Sequence, residues 1–158
     1  MSLDAIRAAI RIKLEGVSGI GRVYDYERFA KDASAFLALY KDPADGRIRG
    51  WWFDRFSTRE LDRDTGTVRR VHSWRITGYL GLDDADATGR ALQDLVEAIA
   101  DAFRSDRTLG GTVLDIRDMT QDDAPAGVQV DSIDAVMLAG ALCHRAGLRL
   151  TTETEETL

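Results

Sequence analysis

A single cysteine, Cys143, and two prolines stand in a chain of 158 residues. One thiol has no partner within the chain, so no disulfide framework is expected, and a reducing compartment suits such a sequence. Histidine is nearly as scarce, with only His72 and His144. No pair of Cys or His falls at metal-ligand spacing, so neither a metal site nor a cofactor is expected. His72 with Ser73, and Cys143 with His144, are adjacent in strand-like runs and point to opposite faces, which argues against a nucleophile poised by either ring. No catalytic residue is therefore assigned, and no enzyme activity is expected. No run approaches the ~20 apolar residues of a membrane span, and MSLDAIRAAIRIKLEG carries charge at every turn, unlike a signal peptide. The expectation is a soluble intracellular protein with no membrane partner. Positive charge is also in deficit: the net charge of −6 argues against sequence-specific nucleic-acid binding.

What the chain has instead is pattern. Its length fits one domain, residues 1–158, large enough to bury about two thirds of its unfolded surface. Leu3, Ile6, Ile10 and Leu14 form one stripe with Ala9 beside them, predicting a helix capped by Ser2 and stopped at Gly16. GVSGIG, residues 16–21, has phosphate-loop glycines, but it follows a helix and lacks the Lys-Ser/Thr ending, so it reads as a connection. A first strand is expected from Arg22 to Phe29. Asp32 caps a short helical turn, Ala33 to Tyr40, before the turn residues DPADG.

The clearest element is a two-stranded ribbon, Ile48 to Leu61 and Thr67 to Leu82, flanking the turn cluster DRDTG. Cross-strand chemistry suggests a register in which Asp62 faces Thr67, Glu60 faces Arg69, Asp54 faces Arg75, Phe53 faces Ile76 and Trp51 faces Gly78. Trp51, Phe53, Trp74, Ile76 and Leu80 then share a buried face. Beyond Ser57 and Ser73 neither face looks apolar enough for core, which predicts a tip, Thr58 to Val71, projecting from the body.

Asp83, Asp84 and Asp86 are expected to open a second helix with the buried stripe Leu92, Leu95, Val96, Ile99 and Phe103, closed by Arg104 and Arg107 and ended by Gly110 and Gly111. Position at a helix start explains that acidic cluster better than a magnesium site does, and RDMTQDD lacks the glycine and closing glutamate of a calcium loop. Three further strands follow, Thr112 to Met119, Val128 to Leu138 and Ala141 to Thr152. In the last, Leu142, His144, Ala146, Leu148 and Leu150 point one way and Arg145 and Arg149 the other. Residues 153–158 read as a frayed acidic tail. The order gives an α+β domain: a mainly antiparallel sheet, helices packed on one face and a long projecting β-hairpin.

Arginines gather in the ribbon and acids at residues 83–86, 115–123 and the C-terminus. Opposite patches on one small domain suit head-to-tail contact between copies.

The opening LDAIRAAIRIKL, the run HSWRITGYLGLDDADATGRALQDLVEAIADAFRSDRTLGG and the closing LCHRAGLRLTTETEE together resemble the tail terminator, or tail completion, proteins of long-tailed bacteriophages and their prophages. The resemblance spans Leu3 to Glu156 and lies in element order and loose signatures such as W-x-I-x-G-Y; Asp32 to Asp45 has no part in it. It implies a structural subunit, assembled in the host bacterial cytoplasm, that forms a hexameric ring on the head-proximal end of the tail tube in the virion neck. Such a ring stops tube polymerisation and presents a head-joining surface, with the tail tube protein and the head-tail connector or head-closure protein as partners. Arg59, Glu60, Arg63, Arg69 and Arg70 at the ribbon tip are the candidate interface with a neighbouring subunit or the tube. Two rival readings share the sequence: another neck, head-closure or tube component, and a small ligand-binding domain whose pocket Trp51, Trp52 and Trp74 would line.

Overall fold

The computed structural model describes residues 2–63 and 66–158. Among these described residues three helices and five strands follow in the order α1 (Leu3–Glu15), β1 (Arg22–Tyr24), α2 (Ala33–Tyr40), β2 (Arg49–Arg63), β3 (Thr67–Gly81), α3 (Thr88–Arg104), β4 (Gln129–Leu138) and β5 (Ala141–Thr157). The strands form one sheet in the order β1-β2-β3-β5-β4, parallel between β1 and β2 and antiparallel elsewhere. This is the expected α+β class with a long β2–β3 hairpin. Residues 64 and 65, in the expected turn, lie outside the described residues.

The main core lies between one sheet face and helices α1 and α3. Trp51, Phe53, Trp74, Ile76, Leu92, Ile99 and Phe103 are fully buried there with Ile6, Ile10 and Leu14; Val96 is buried and Leu95 packs at the margin. Trp51 lies flat across Gly78, where any added Cβ would overlap the indole. Ser2 accepts from the Ala5 amide at 3.1 Å to cap α1.

Helix α2, capped by Asp32, departs from the expectation of helices on one face. Side chains alternate along a strand, and α2 packs on the Trp52 side, opposite Trp51. Phe36 and Tyr40 meet Ile48, Trp52 and Cys143 there, and Tyr40 packs edge-on to Tyr79 with ring centres 5.0 Å apart. ASAFLALY is apolar around most of its circumference, so its sequence does not say which face of a sheet receives it.

Several element boundaries also differ. The first strand stops at Tyr24, because the chain then turns to bring Glu27 within 3.6 Å of Arg75. Helix α3 starts at Thr88, not at the aspartates: residues 83–86 form a turn closed by Thr88, whose Oγ1 accepts from the Asp83 amide at 2.9 Å, and Asp86 pairs with Arg47. That helix ends at Arg104 with Ser105 as its cap; Gly110 and Gly111 belong to the following turn, both at positive φ. Residues 112–119 are not a strand but a loop with two isolated bridges, Asp115 to Glu153 and Arg117 to Ala126, and buried Val113 and Ile116. The supposedly frayed tail is strand, since β5 pairs with β3 as far as Thr157 opposite Thr67.

Candidate assembly surface

The hairpin divides at Phe56. From Arg49 to Arg55 the register is the one expected, with Trp51 opposite Gly78, Phe53 opposite Ile76 and Asp54 opposite Arg75. A bulge at Phe56 then advances the pairing by one residue, so Glu60 faces Arg70, Asp62 faces Val68 and Arg63 faces Thr67. The expected pairs Glu60–Arg69 and Asp62–Thr67 are therefore not formed. An extra residue in one strand restores the facing of side chains while shifting every pair beyond it. Phe56 itself is half exposed.

The outer half is not a free two-stranded ribbon. Strand β5 runs along β3 to the end, and residues 115–120 lie against β5 and the face of the tip. Contrary to the sequence reading, this half has buried residues: Val68, Val71, His72, Thr152, Glu153 and Thr154. Most are polar, and side-chain hydrogen bonds hold His72, Thr152 and Glu153, while the buried Thr154 Oγ1 has no partner among the described residues. Thr58 Oγ1 and His72 Nδ1 are 2.8 Å apart, and Trp74 Nε1 donates to Thr152 Oγ1 at 3.0 Å. Burial, with Arg70 and Arg55 nearby, pushes His72 down to about 4, so its ring is neutral at physiological pH.

Glu153 is the centre of this half. Its carboxylate is fully buried; one oxygen accepts from Arg69 Nη1 at 2.6 Å and the other from the Met119 amide. Its backbone forms the bridge to Asp115, donating to the Asp115 carbonyl at 3.0 Å and accepting from Leu114 at 2.8 Å. Arg69 also reaches Glu155 at 2.8 Å, and these two carboxylates, Glu153 first, raise its guanidinium above its ordinary value. Arg59 pairs with Asp118 and donates to Thr120 Oγ1 at 2.9 Å. Arg70 lies 3.4 Å from Glu60.

The candidate interface residues thus come together on one end of the sheet, but they are not equivalent. Arg69 points into the internal network, Arg59 ties down the 115–120 loop, and Glu60 and Arg70 form an outward pair. Arg63 closes β2, and its side chain lies outside the described part. Sequence reasoning missed Asp118 and Glu153, the acids that hold this end. The polar alternation TTETEE was the available signal, since period two persists through it.

A groove of about 480 Å³ runs beside this end, bordered by Phe56, Ser57, Arg59, Ser73, Asp118 and Arg149. None of the three tryptophans borders it; all are buried in packing. The second histidine is likewise occupied, with Nε2 2.8 Å from Thr88 Oγ1. Among the described residues no helix is long and apolar enough to cross a membrane.

No family model matches the chain, and no curated protein matches it. Among solved structures it is similar to a chain of "Virion of native gene transfer agent (GTA) particle", with 15% identity, a TM-score of 0.37, and coverage of 95% of this chain and 96% of that one.

Proposed function

We propose that this chain is a structural subunit of a phage-like particle and, within that class, a tail terminator: a ring, hexameric by resemblance, seated on the head-proximal end of the tail tube. The ring stops tube growth by covering the growing end with a surface to which no further tube subunit adds, and its other side receives the head connector. The role is structural and not catalytic.

The observation that carries this reading is the sheet, which is left open at both sides: along β2 beyond the short β1, and along β4. Strand β1 covers only Gly50–Trp52 of β2, and β4 pairs on one side alone among the described residues. A subunit with two different open ends is suited to head-to-tail contacts, which close into a ring when the rotation between copies permits. The order of α1, ribbon, α3 and closing strand is also the order on which the resemblance to tail terminators rests. The ligand-binding alternative loses support because Trp51, Trp52 and Trp74 are packing residues.

Deleting the gene from its parent phage or inducible prophage and imaging the particles by negative-stain electron microscopy tests the reading. Overlong tails with unattached heads are expected. Tails of normal length would overturn the terminator assignment; if heads remain unattached to such tails, another neck component is indicated.

A further inference from the structure

Where β1 ends, the edge of β2 becomes available. The chain after Tyr24 leaves that edge, crossing to put Glu27 beside Arg75 on the α2 side. Past the bulge, Ser57 to Arg63 pair with β3 on one side and with no strand on the other, among the described residues. At the far end of the sheet β4 has the same condition along its whole length.

Edge strands are ordinarily blunted by charge, proline or brevity, because unpaired N–H and C=O groups template further pairing. Strand β4 is ten residues long, and Ile133–Leu138 reads IDAVML with one charge. Val130 and Met137 are 48% and 62% exposed. Its bulge at Asp131 protects only the N-terminal end. Such an edge is a liability in a lone subunit and an asset in an assembling one.

We propose that β4 of one copy adds as a strand to the outer half of β2, Ser57 to Arg63, of the next copy, making the sheet continuous from subunit to subunit. This rests on the ring-subunit reading and names the contact that would build it. The partner is a second copy because the two open edges lie at opposite ends of one sheet, so that the same addition repeats from copy to copy. Strand polarity fits: β4 runs opposite to β2, so a neighbour whose sheet continues in the same orientation presents β4 antiparallel, the more stable pairing. Length fits as well, since ten residues span the seven that are open.

The contact also carries a stagger. Through β5, β4 sits beside the inner half of β3, where Gln129 aligns with Arg149 and that in turn with Arg75. The open stretch of β2 is the outer half. Successive sheets are then displaced along the strands by about half a hairpin, and a displaced continuation is the shear that a closed sheet requires.

Cysteine trapping in the full chain tests this, with Cys143 fully buried and out of reach. Ser57 and Asp134 lie on the same sheet face, as do Ser57 and Ser132, so Ser57→Cys combined with Asp134→Cys, or with Ser132→Cys, samples two neighbouring registers. Mild oxidation of at least one double variant is expected to give a ladder of cross-linked species on a non-reducing gel, absent from the single variants. Hydrogen exchange covers any other register: amides of 57–63 and 129–138 are expected to slow together, by at least about tenfold, as concentration rises into the assembling range. Rings seen in micrographs with neither cross-link nor shared protection would overturn strand addition while leaving the ring subunit standing. No oligomer by light scattering at any concentration would overturn both. Protection that appears only on adding a different protein would overturn the choice of a second copy.

Discussion

On the inner side of Phe56 the hairpin presents Trp51, Phe53, Trp74 and Ile76 to two helices; on the outer side the same two strands present Thr58, Glu60, Arg70 and His72. One half is held by apolar area and shape, the other by hydrogen bonds and ion pairs around a buried carboxylate. The difference matters because the two kinds of cohesion respond to different perturbations. Apolar packing neither titrates nor is weakened by charge screening, whereas a polar end can be loosened or tightened by pH and salt without melting the core. A subunit that must fold alone and then engage neighbours at one end gains from that separation.

The largest effect is expected in the inner half. Phe53→Ala removes a fully buried ring packed 6.2 Å from the Trp74 ring centre and is expected to cost about 4 kcal/mol. Chemical denaturation checks it: a loss below about 1 kcal/mol would show that the inner half is not the main source of stability. Gly78→Ala probes the same region by overpacking, since the indole of Trp51 is fully buried and has nowhere to move.

Glu153→Ala comes next and should sharpen the contrast. It strips Arg69 of its buried partner and releases the Met119 amide, at an expected cost of about 3 kcal/mol. Hydrogen exchange should show the loss concentrated in residues 66–73, 112–120 and 151–157, with α1 and α3 little changed. Uniform loosening of the whole sheet would mean that the halves are one cooperative unit.

The acid limb of the stability curve separates the halves without disrupting packing. His72 titrates near 6.5 when unfolded and at about 4 when folded. Between those values the unfolded chain binds the extra proton, so this contribution is fully present above pH 6.5 and is lost as pH falls towards 4. The expected loss is on the order of 1–2 kcal/mol, less than the full shift implies because neighbouring groups relax. His72→Gln, which still offers Thr58 a partner, should flatten the slope over that window. An unchanged slope would assign the acid sensitivity to other groups.

How far these halves were legible in the sequence follows from what holds each one. The inner register could be read because tryptophan over glycine and phenylalanine beside isoleucine admit few alternatives, and α1 and the α3 stripe are marked by their helical period. The outer register was off by one because nothing in RFSTR announces a bulge; Phe56 is neither glycine nor a turn former. The tail was misread for a related reason: TTETEET is polar on both faces and resembles a frayed end until Arg69 supplies the partner for Glu153 and Glu155. Arg59 and Asp118 lie 59 positions apart, and no local pattern joins them. Hydrophobic order is written in periodicity, while a charge network depends on which distant acid reaches which base.

That distinction bears on how the tip should be probed as an interface. Reversing Arg69 would disturb Glu153 and confound assembly with folding, so the informative residues are Glu60 and Arg70, an outward pair 3.4 Å apart. A partly exposed pair of this kind contributes about 0.5 kcal/mol, so Glu60→Arg and Arg70→Glu singly should lower stability slightly, and the double exchange should restore it. If the pair also contacts a neighbouring subunit or the tube, the double exchange restores folding but not assembly, because the neighbour still meets the wrong charge at each position. Denaturation of the three variants, set beside ring formation and tail joining, distinguishes the cases. Full recovery of both would remove Glu60 and Arg70 from the interface and leave the tip with a purely internal role.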